Sequence, residues 1–212
     1  MEDLNLQNID PELHAAAREM FKQGSPSFVF LAGNTIALEI VRDNVLPLRR
    51  RGIYEEALIQ ALTITRTNHH HWREEELART FRLANKINLR RLGDPIPTYP
   101  VTVYRGISGQ GKQRHIRGWS WTASLDIACW FALRFQLARP IVMSAIVMPS
   151  EILHCTNERG EMEFIVKPAN SAKVPLSLTE MRVRAERQTQ IIADDKRQKL
   201  AKLKAMVGGR TK

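Results

Sequence analysis

The sequence predicts an α+β protein in which a helical first part is followed by a strand-rich core and a basic helical tail. Three observations support this order. Apolar residues recur at helical spacing as far as Leu92, three prolines stand within residues 93–100, and short β-branched and aromatic runs follow. We therefore predict a helical subdomain at residues 1–92, a core at residues 93–178 and a basic helical tail at residues 179–212.

The first part opens with a helix start signal. Asp10 offers a side-chain acceptor for the cap, and Pro11 suits the first helical position. An apolar face with spacing i, i+3, i+4, i+7 and i+8 then begins at Leu13. Three further helices are predicted from the same kind of spacing. One begins near Asn34, includes Val45 among its buried residues and stops before Pro47, a second carries Leu58 and Thr65, and a third covers residues 72–92.

After the proline-rich stretch the pattern changes to that of strands. Short β-branched or aromatic runs separated by turn residues predict four strands, at residues 101–104, 118–122, 141–147 and 161–166. A helix from Leu125 to about Phe135, with Ser124 as its cap, lies between the second and third strands. The chain returns to helix after Pro175.

The composition excludes several classes of protein. Two cysteines, Cys129 and Cys155, are too few for a disulfide framework or a cysteine-rich zinc site. The longest apolar runs, residues 28–32 and 141–148, are too short to span a bilayer. The start of the chain is acidic and polar, unlike a secretory signal. We expect a protein without a membrane segment that stays in the cytoplasm.

The charge is concentrated near the end of the chain. The formal net charge is +10, and residues 182–212 hold ten basic residues against three acids, a net charge of +7. Such a segment favours a polyanionic partner. A solvated basic helix or a frayed tail is the alternative.

Three motifs in the strand-rich core carry candidate chemistry. Arg105 ends a predicted strand just before Gly106, and a glycine there would let a ligand approach the backbone. In the next strand, alternation puts Ser120 and Thr122 on one face and two tryptophans on the other. Taken alone, each pattern has an ordinary alternative: a surface arginine in the first case and a cross-strand pair in the second.

The third motif places two carboxylates in one strand. A period of two aims Glu161 and Glu163 at the same face, just before the strand becomes apolar. Like charges this close repel each other, so a purely structural sheet rarely contains them. A binding cleft is the preferred interpretation, with a solvated edge strand as the alternative.

In this order the motifs resemble the arginine, serine and glutamate signature of the R-S-E class of ADP-ribosyltransferases, which includes cholera-like and clostridial-like toxins and several phage and bacterial enzymes. The resemblance covers residues 101–168, about a third of the chain. Trp121 departs from the family pattern, which has threonine between the two hydroxyl residues. The matching residues are Arg105, Ser120 and Thr122, Ala128 and Phe131, and Glu161 and Glu163.

The resemblance implies a core built as a split, mostly antiparallel β-sandwich and NAD as the co-substrate, with no metal. By analogy Glu163 would stabilise the cationic ribose that forms as nicotinamide leaves, because carboxylates stabilise a similar positive charge in glycosidases. Ser120 would hold Glu163 and the ribose in place, and Arg105 would bind the pyrophosphate. Glu161 would orient or deprotonate the acceptor.

Further residues are expected at the cofactor site. Gly106 and Thr122 extend the matched motifs, and Tyr104 and Trp119 flank Arg105 and Ser120, where they would line the nicotinamide pocket.

The acceptor stays open at this point. The resemblance implies that Glu161, at the first position of the Glu-x-Glu motif, favours the guanidinium of a protein arginine or another exocyclic amine. The basic residues favour RNA or DNA instead, and we prefer nucleic acid slightly. Alternatives are an NAD glycohydrolase and a nucleic-acid-binding protein without catalysis, and an inhibitory partner protein that masks the cleft is also compatible. The predicted nucleic-acid contacts are Lys112, Arg114, Arg117, Lys196, Arg197, Lys199, Lys202 and Lys204.

Overall fold

The computed structural model describes residues 4–65, 72, 74–111, 118–158 and 160–208. The chain divides into two compact units, with the division between Pro95 and Ile96, close to the boundary predicted after residue 92. The described residues form helices and one antiparallel sheet, so the α+β class is confirmed. No described helix has both the length and the apolar character that crossing a membrane requires.

The first unit is helical. Asp10 accepts a hydrogen bond from the backbone N–H of Glu12 at 3.0 Å, as its predicted capping role requires. Two 3₁₀ segments occupy Pro11–Leu13 and Pro26–Ala32. The α-helices of this unit are α1 (His14–Lys22), α2 (Gly33–Asp43), α3 (Val45–Arg51), α4 (Tyr54–Ile64), α5 (Glu74–Leu83) and α6 (Lys86–Arg91).

Two helix predictions in this unit are wrong in detail. The helix predicted from near Asn34 does end before Pro47, as α2, but Val45, predicted to belong to it, begins α3 instead. Pro47 is tolerated in the first turn of α3 because first-turn N–H groups have no partner within the helix. The helix predicted at residues 72–92 is interrupted at Asn85. Its side chain caps α6, and its backbone N–H donates to Glu55 Oε1 at 2.7 Å. The side-chain cap competes with helix continuation at this point.

The second unit contains the sheet. Its strands are β1 (Val101–Ile107), β2 (Ser120–Thr122), β3 (Ile141–Val147), β4 (His154–Thr156), β5 (Glu163–Ile165) and β6 (Ala172–Lys173). They are ordered β4-β5-β2-β1-β3-β6, and all of their pairings are antiparallel. Helix α7 (Leu125–Leu133) connects β2 to β3, and α8 (Leu178–Gly208) follows β6.

The described strands form one sheet, where two sheets of a split sandwich were expected. The reason is that β2 pairs with β1 on one side and with β5 on the other. The join is narrow, because the register of β1 with β2 consists of Tyr104 opposite Thr122, whereas β1 pairs with β3 along seven residues. The two halves of the sheet are joined through this pair.

Apolar clusters cover both faces of the sheet. One includes Val103, Ile107, Trp121 and Phe164, and α7 and α8 pack on the other face. Strand β1 approaches α7 very closely, because a Cβ at Gly106 would lie 1.9 Å from the carbonyl oxygen of Ala128.

Helix α8 begins on the core and continues beyond it. Met181, Ala185 and Gln188 are buried at helical spacing, and Arg184 and Arg187 bind the carboxylate of Asp126 at 2.6 and 2.8 Å. After Gln188, the side chains described are exposed, apart from the partly buried Ala193. Residues 189–208 extend α8 by about 30 Å at 1.5 Å per residue. The tail predicted from residue 179 is thus helical as far as it is described.

Candidate active site

Arg105, Ser120 and Glu163 meet on three neighbouring strands. The hydroxyl of Ser120 donates a hydrogen bond to Glu163 Oε1 at 2.5 Å. The guanidinium of Arg105 donates through Nη1 to the carbonyl oxygen of Ser120, also at 2.5 Å. Strand pairing brings the three residues together, although Ser120 is 15 residues from Arg105 and 43 from Glu163 in the sequence.

The register of β2 and β5 explains the contact between Ser120 and Glu163. Glu163 lies opposite Thr122, and Ser120 lies opposite Ile165. Ser120 and Glu163 are therefore diagonal neighbours on one face, a separation that side chains of this length can bridge. The hydrogen bond orients the carboxylate.

The guanidinium of Arg105 is enclosed by the chain. A Cβ at Gly118 would lie 2.0 Å from Arg105 Cζ, so the guanidinium occupies the space that any other residue at that position would fill. Desolvation lowers the pKa of Arg105 to about 10, and the nearby charge of Glu163 opposes this shift. The group remains cationic at neutral pH.

One donor of Arg105 lacks an acceptor among the described residues. Its Nε is buried and makes no hydrogen bond there. An unmet buried donor costs about 1–3 kcal/mol, more for a charged group. A phosphate oxygen or another anionic acceptor at the guanidinium would lower this cost, and the planar fork of donors suits such a ligand. The unmet donor makes Arg105 a candidate for binding an anion.

Glu161 lies outside the strand that was predicted to contain it. Strand β5 begins at Glu163, and Met162 adopts a left-handed conformation with a φ of 45°. The prediction that alternation within one strand places Glu161 and Glu163 on the same face is therefore wrong, because Glu161 is not in the strand. Glu161 belongs to the loop before β5.

Thr122 holds this loop. Its buried hydroxyl donates to the carbonyl oxygen of Glu161 at 2.6 Å and accepts from the backbone N–H of Ser124 at 3.1 Å. Thr122, predicted to contact the cofactor, thus makes hydrogen bonds to two main-chain groups. Thr122 links the loop carrying Glu161 to the start of α7.

The other residues predicted at the cofactor site make the following contacts within the second unit. Tyr104 packs against the cluster that α7 and α8 form on the sheet. Gly106, predicted to let a ligand approach the backbone, lies directly against the backbone of α7. Trp119 is buried, and the ammonium of Lys167 lies 5.8 Å from its ring centroid. Sequence reasoning missed Lys167, because nothing in the sequence connects a lysine after β5 with the residue before β2.

The basic residues expected to bind nucleic acid fall into two groups. Lys112, Arg114 and Arg117 lie outside the described residues. The group on α8 is exposed, with Arg197 paired to Asp194, and Lys199 paired to Asp195 at 2.7 Å. The members that make no ion pair with another described residue are Lys196, Lys202 and Lys204.

Within the described ranges, no group of three histidine, cysteine, aspartate or glutamate side chains is arranged to hold a metal ion. Comparison of the chain with protein-family models, with curated proteins and with solved structures gives no match.

Proposed function

We propose that this protein is an NAD-dependent mono-ADP-ribosyltransferase. The observation that carries the proposal is the chain of contacts from Arg105 through Ser120 to Glu163, which joins a cation, a hydroxyl and a carboxylate. The resemblance predicts these three residue types for binding and cleaving NAD. If the same contacts are only structural, they should stabilise the fold, and the protein should not turn over NAD.

The chemistry follows from the charge that develops during cleavage. As the bond between nicotinamide and ribose breaks, the electron pair leaves with nicotinamide and the ribose becomes cationic. The oriented carboxylate of Glu163 stabilises that cation, and the Arg105 guanidinium binds the pyrophosphate. The acceptor nucleophile then bonds to the anomeric carbon, and its proton passes to the carboxylate of Glu161.

Nucleic acid is the favoured acceptor, within the cytoplasm. The exposed lysines of α8 lie on a helix that continues beyond the core, and phosphates attract such residues. Protein arginine is the second candidate, because Glu161 occupies the loop next to the catalytic glutamate.

The proposal is tested by incubating purified protein with NAD labelled in its ADP-ribose part and a bacterial lysate. Label is then followed into RNA, DNA and protein, beside Glu163→Gln and the exposed control Glu186→Gln. Label in nucleic acid that depends on Glu163 supports the favoured acceptor, and label in protein supports the arginine alternative. Nicotinamide release without label transfer indicates a glycohydrolase, and the absence of both contradicts the proposal.

A further inference from the structure

Trp121 occupies the position where the motif of the resembling family has threonine, and its side chain makes a specific contact. The indole Nε1–H donates a 2.9 Å hydrogen bond to the carbonyl oxygen of Gly118. The ring itself is buried in the apolar cluster with Val103 and Phe164. Trp121 therefore ties the main chain before β2 to the core of the sheet.

Gly118 is the residue against which the Arg105 guanidinium lies. A Cβ at this position would be 2.0 Å from Cζ, 2.1 Å from Nη2 and 2.5 Å from Nη1 of Arg105. Gly118 is not among the glycines with positive φ, so it is the space and not the backbone angle that requires glycine here. A small shift of Gly118 would change the room available to the guanidinium.

The same segment supplies the acceptor for Arg105. Nη1 donates to the carbonyl oxygen of Ser120, two residues after Gly118. Between them, the carbonyl oxygen of Trp119 accepts from the backbone N–H of Val166 at 2.9 Å. Residues 118–120 are therefore held at Trp119 by Val166, the residue after β5, and at Gly118 by the indole of Trp121.

We propose that Trp121 is a positioning residue for Arg105: its indole N–H fixes Gly118, and Gly118 with the Ser120 carbonyl holds the guanidinium in its NAD-binding place. The expected change in the KM for NAD rests on the proposed function, whereas the expected effect on the position of the guanidinium does not. Trp121 acts through Gly118, and no contact of Trp121 with substrate is required.

The test compares two variants. Trp121→Phe keeps an aromatic ring but removes the donor, and Gly118→Ala keeps Trp121 and places a methyl group at the guanidinium. Ile152→Val, a small deletion in the same buried cluster, controls for lost packing. Because Arg105 is expected to bind substrate throughout the reaction, both variants should raise the KM for NAD about tenfold with little change in kcat. Ile152→Val should leave the KM unchanged.

A second measurement separates positioning from catalysis. The Nε–H of Arg105 gives a side-chain NMR signal, identified by its loss in Arg105→Lys. We expect Trp121→Phe and Gly118→Ala to shift this signal and Ile152→Val to leave it in place. If Trp121→Phe leaves both the signal and the KM at their wild-type values, or changes them no more than Ile152→Val does, the positioning role is overturned. If the wild type releases no nicotinamide, the proposed function fails, and the NMR signal alone decides whether Trp121 positions Arg105.

Discussion

The hydroxyl of Ser120 donates a 2.5 Å hydrogen bond to the carboxylate of Glu163, across the paired strands β2 and β5. A carboxylate fixed in this way needs no reorganisation when positive charge develops beside it, which is the condition for electrostatic stabilisation of a transition state. The same bond fixes the side-chain positions of Ser120 and Glu163 relative to each other. Removing the hydroxyl should therefore affect the chemical step.

Ser120→Ala should lower the kcat of nicotinamide release about ten- to a hundredfold, because the lost hydrogen bond to a charged group is worth about 1.5–3 kcal/mol. The measurement is steady-state release of nicotinamide at saturating NAD. Ser144→Ala is the matched control, since its hydroxyl lies 3.5 Å from the carbonyl oxygen of Ala172 at a different strand pair. Equal rates for the two variants would contradict a role for Ser120.

Gly106→Ala should destabilise the second unit. The added Cβ would lie 1.9 Å from the carbonyl oxygen of Ala128 and 2.6 Å from the backbone nitrogen of Ala132, so strand and helix must separate. Overpacking of this kind costs about 1–3 kcal/mol or more in the free energy of unfolding. Urea denaturation measures this loss of stability. If Gly106→Ala unfolds at the same urea concentration as the wild type, the close contact of β1 with α7 is contradicted.

The buried thiol of Cys129 predicts a pH dependence of stability. Burial raises the pKa of Cys129 from 9.0 to about 11, so at pH below 9.0 the thiol is neutral in both folded and unfolded chains and contributes no dependence. As the pH rises from 9.0 towards about 11, the unfolded chain ionises first, and the free energy of unfolding should fall. Urea titrations across this range measure the slope, which should be smaller in Cys129→Ala. The same slope in that variant would assign the dependence to other groups.

The exposed lysines of α8 predict salt-dependent binding to nucleic acid. Replacing Lys196, Lys202 and Lys204 by glutamine should weaken binding to RNA or DNA. If each lysine contacts one phosphate, the slope of log K against log salt should fall by about 0.9 per lysine on duplex DNA. A control with the exposed Lys22, Lys86 and Lys173 changed to glutamine matches the charge removed. If both triple variants lose the same affinity, the effect comes from total charge and not from α8.

Local signals in the sequence predicted much of the secondary structure. Asp10 and Pro11 indicated the first helix start, and the β-branched run at residues 141–147 indicated β3 with the bounds that the structure shows. These features depend on residues that are close in the chain. The α+β class followed from the same kind of information, through the change of periodicity after the prolines.

Long-range contacts account for what the sequence did not predict. The helix break at Asn85 involves Glu55, 30 residues away, and the single sheet depends on β2 pairing with two strands. The loop position of Glu161 results from the left-handed φ of Met162, a conformation that alternation of residue types does not reveal. The space that Gly118 leaves for Arg105 likewise arises only in the folded chain.

The most direct test of the proposed function is nicotinamide release from NAD by the wild type, Glu163→Gln and Glu186→Gln, with folding checked by circular dichroism. Glutamine keeps the size of the side chain and removes the charge that we propose stabilises the cationic ribose. Glu163→Gln should therefore release nicotinamide at least about a hundredfold more slowly than the wild type. Glu186→Gln, exposed on α8, should match the wild type. Release by Glu163→Gln at the wild-type rate, or no release by the wild type, would contradict the assignment of Glu163 as the catalytic carboxylate.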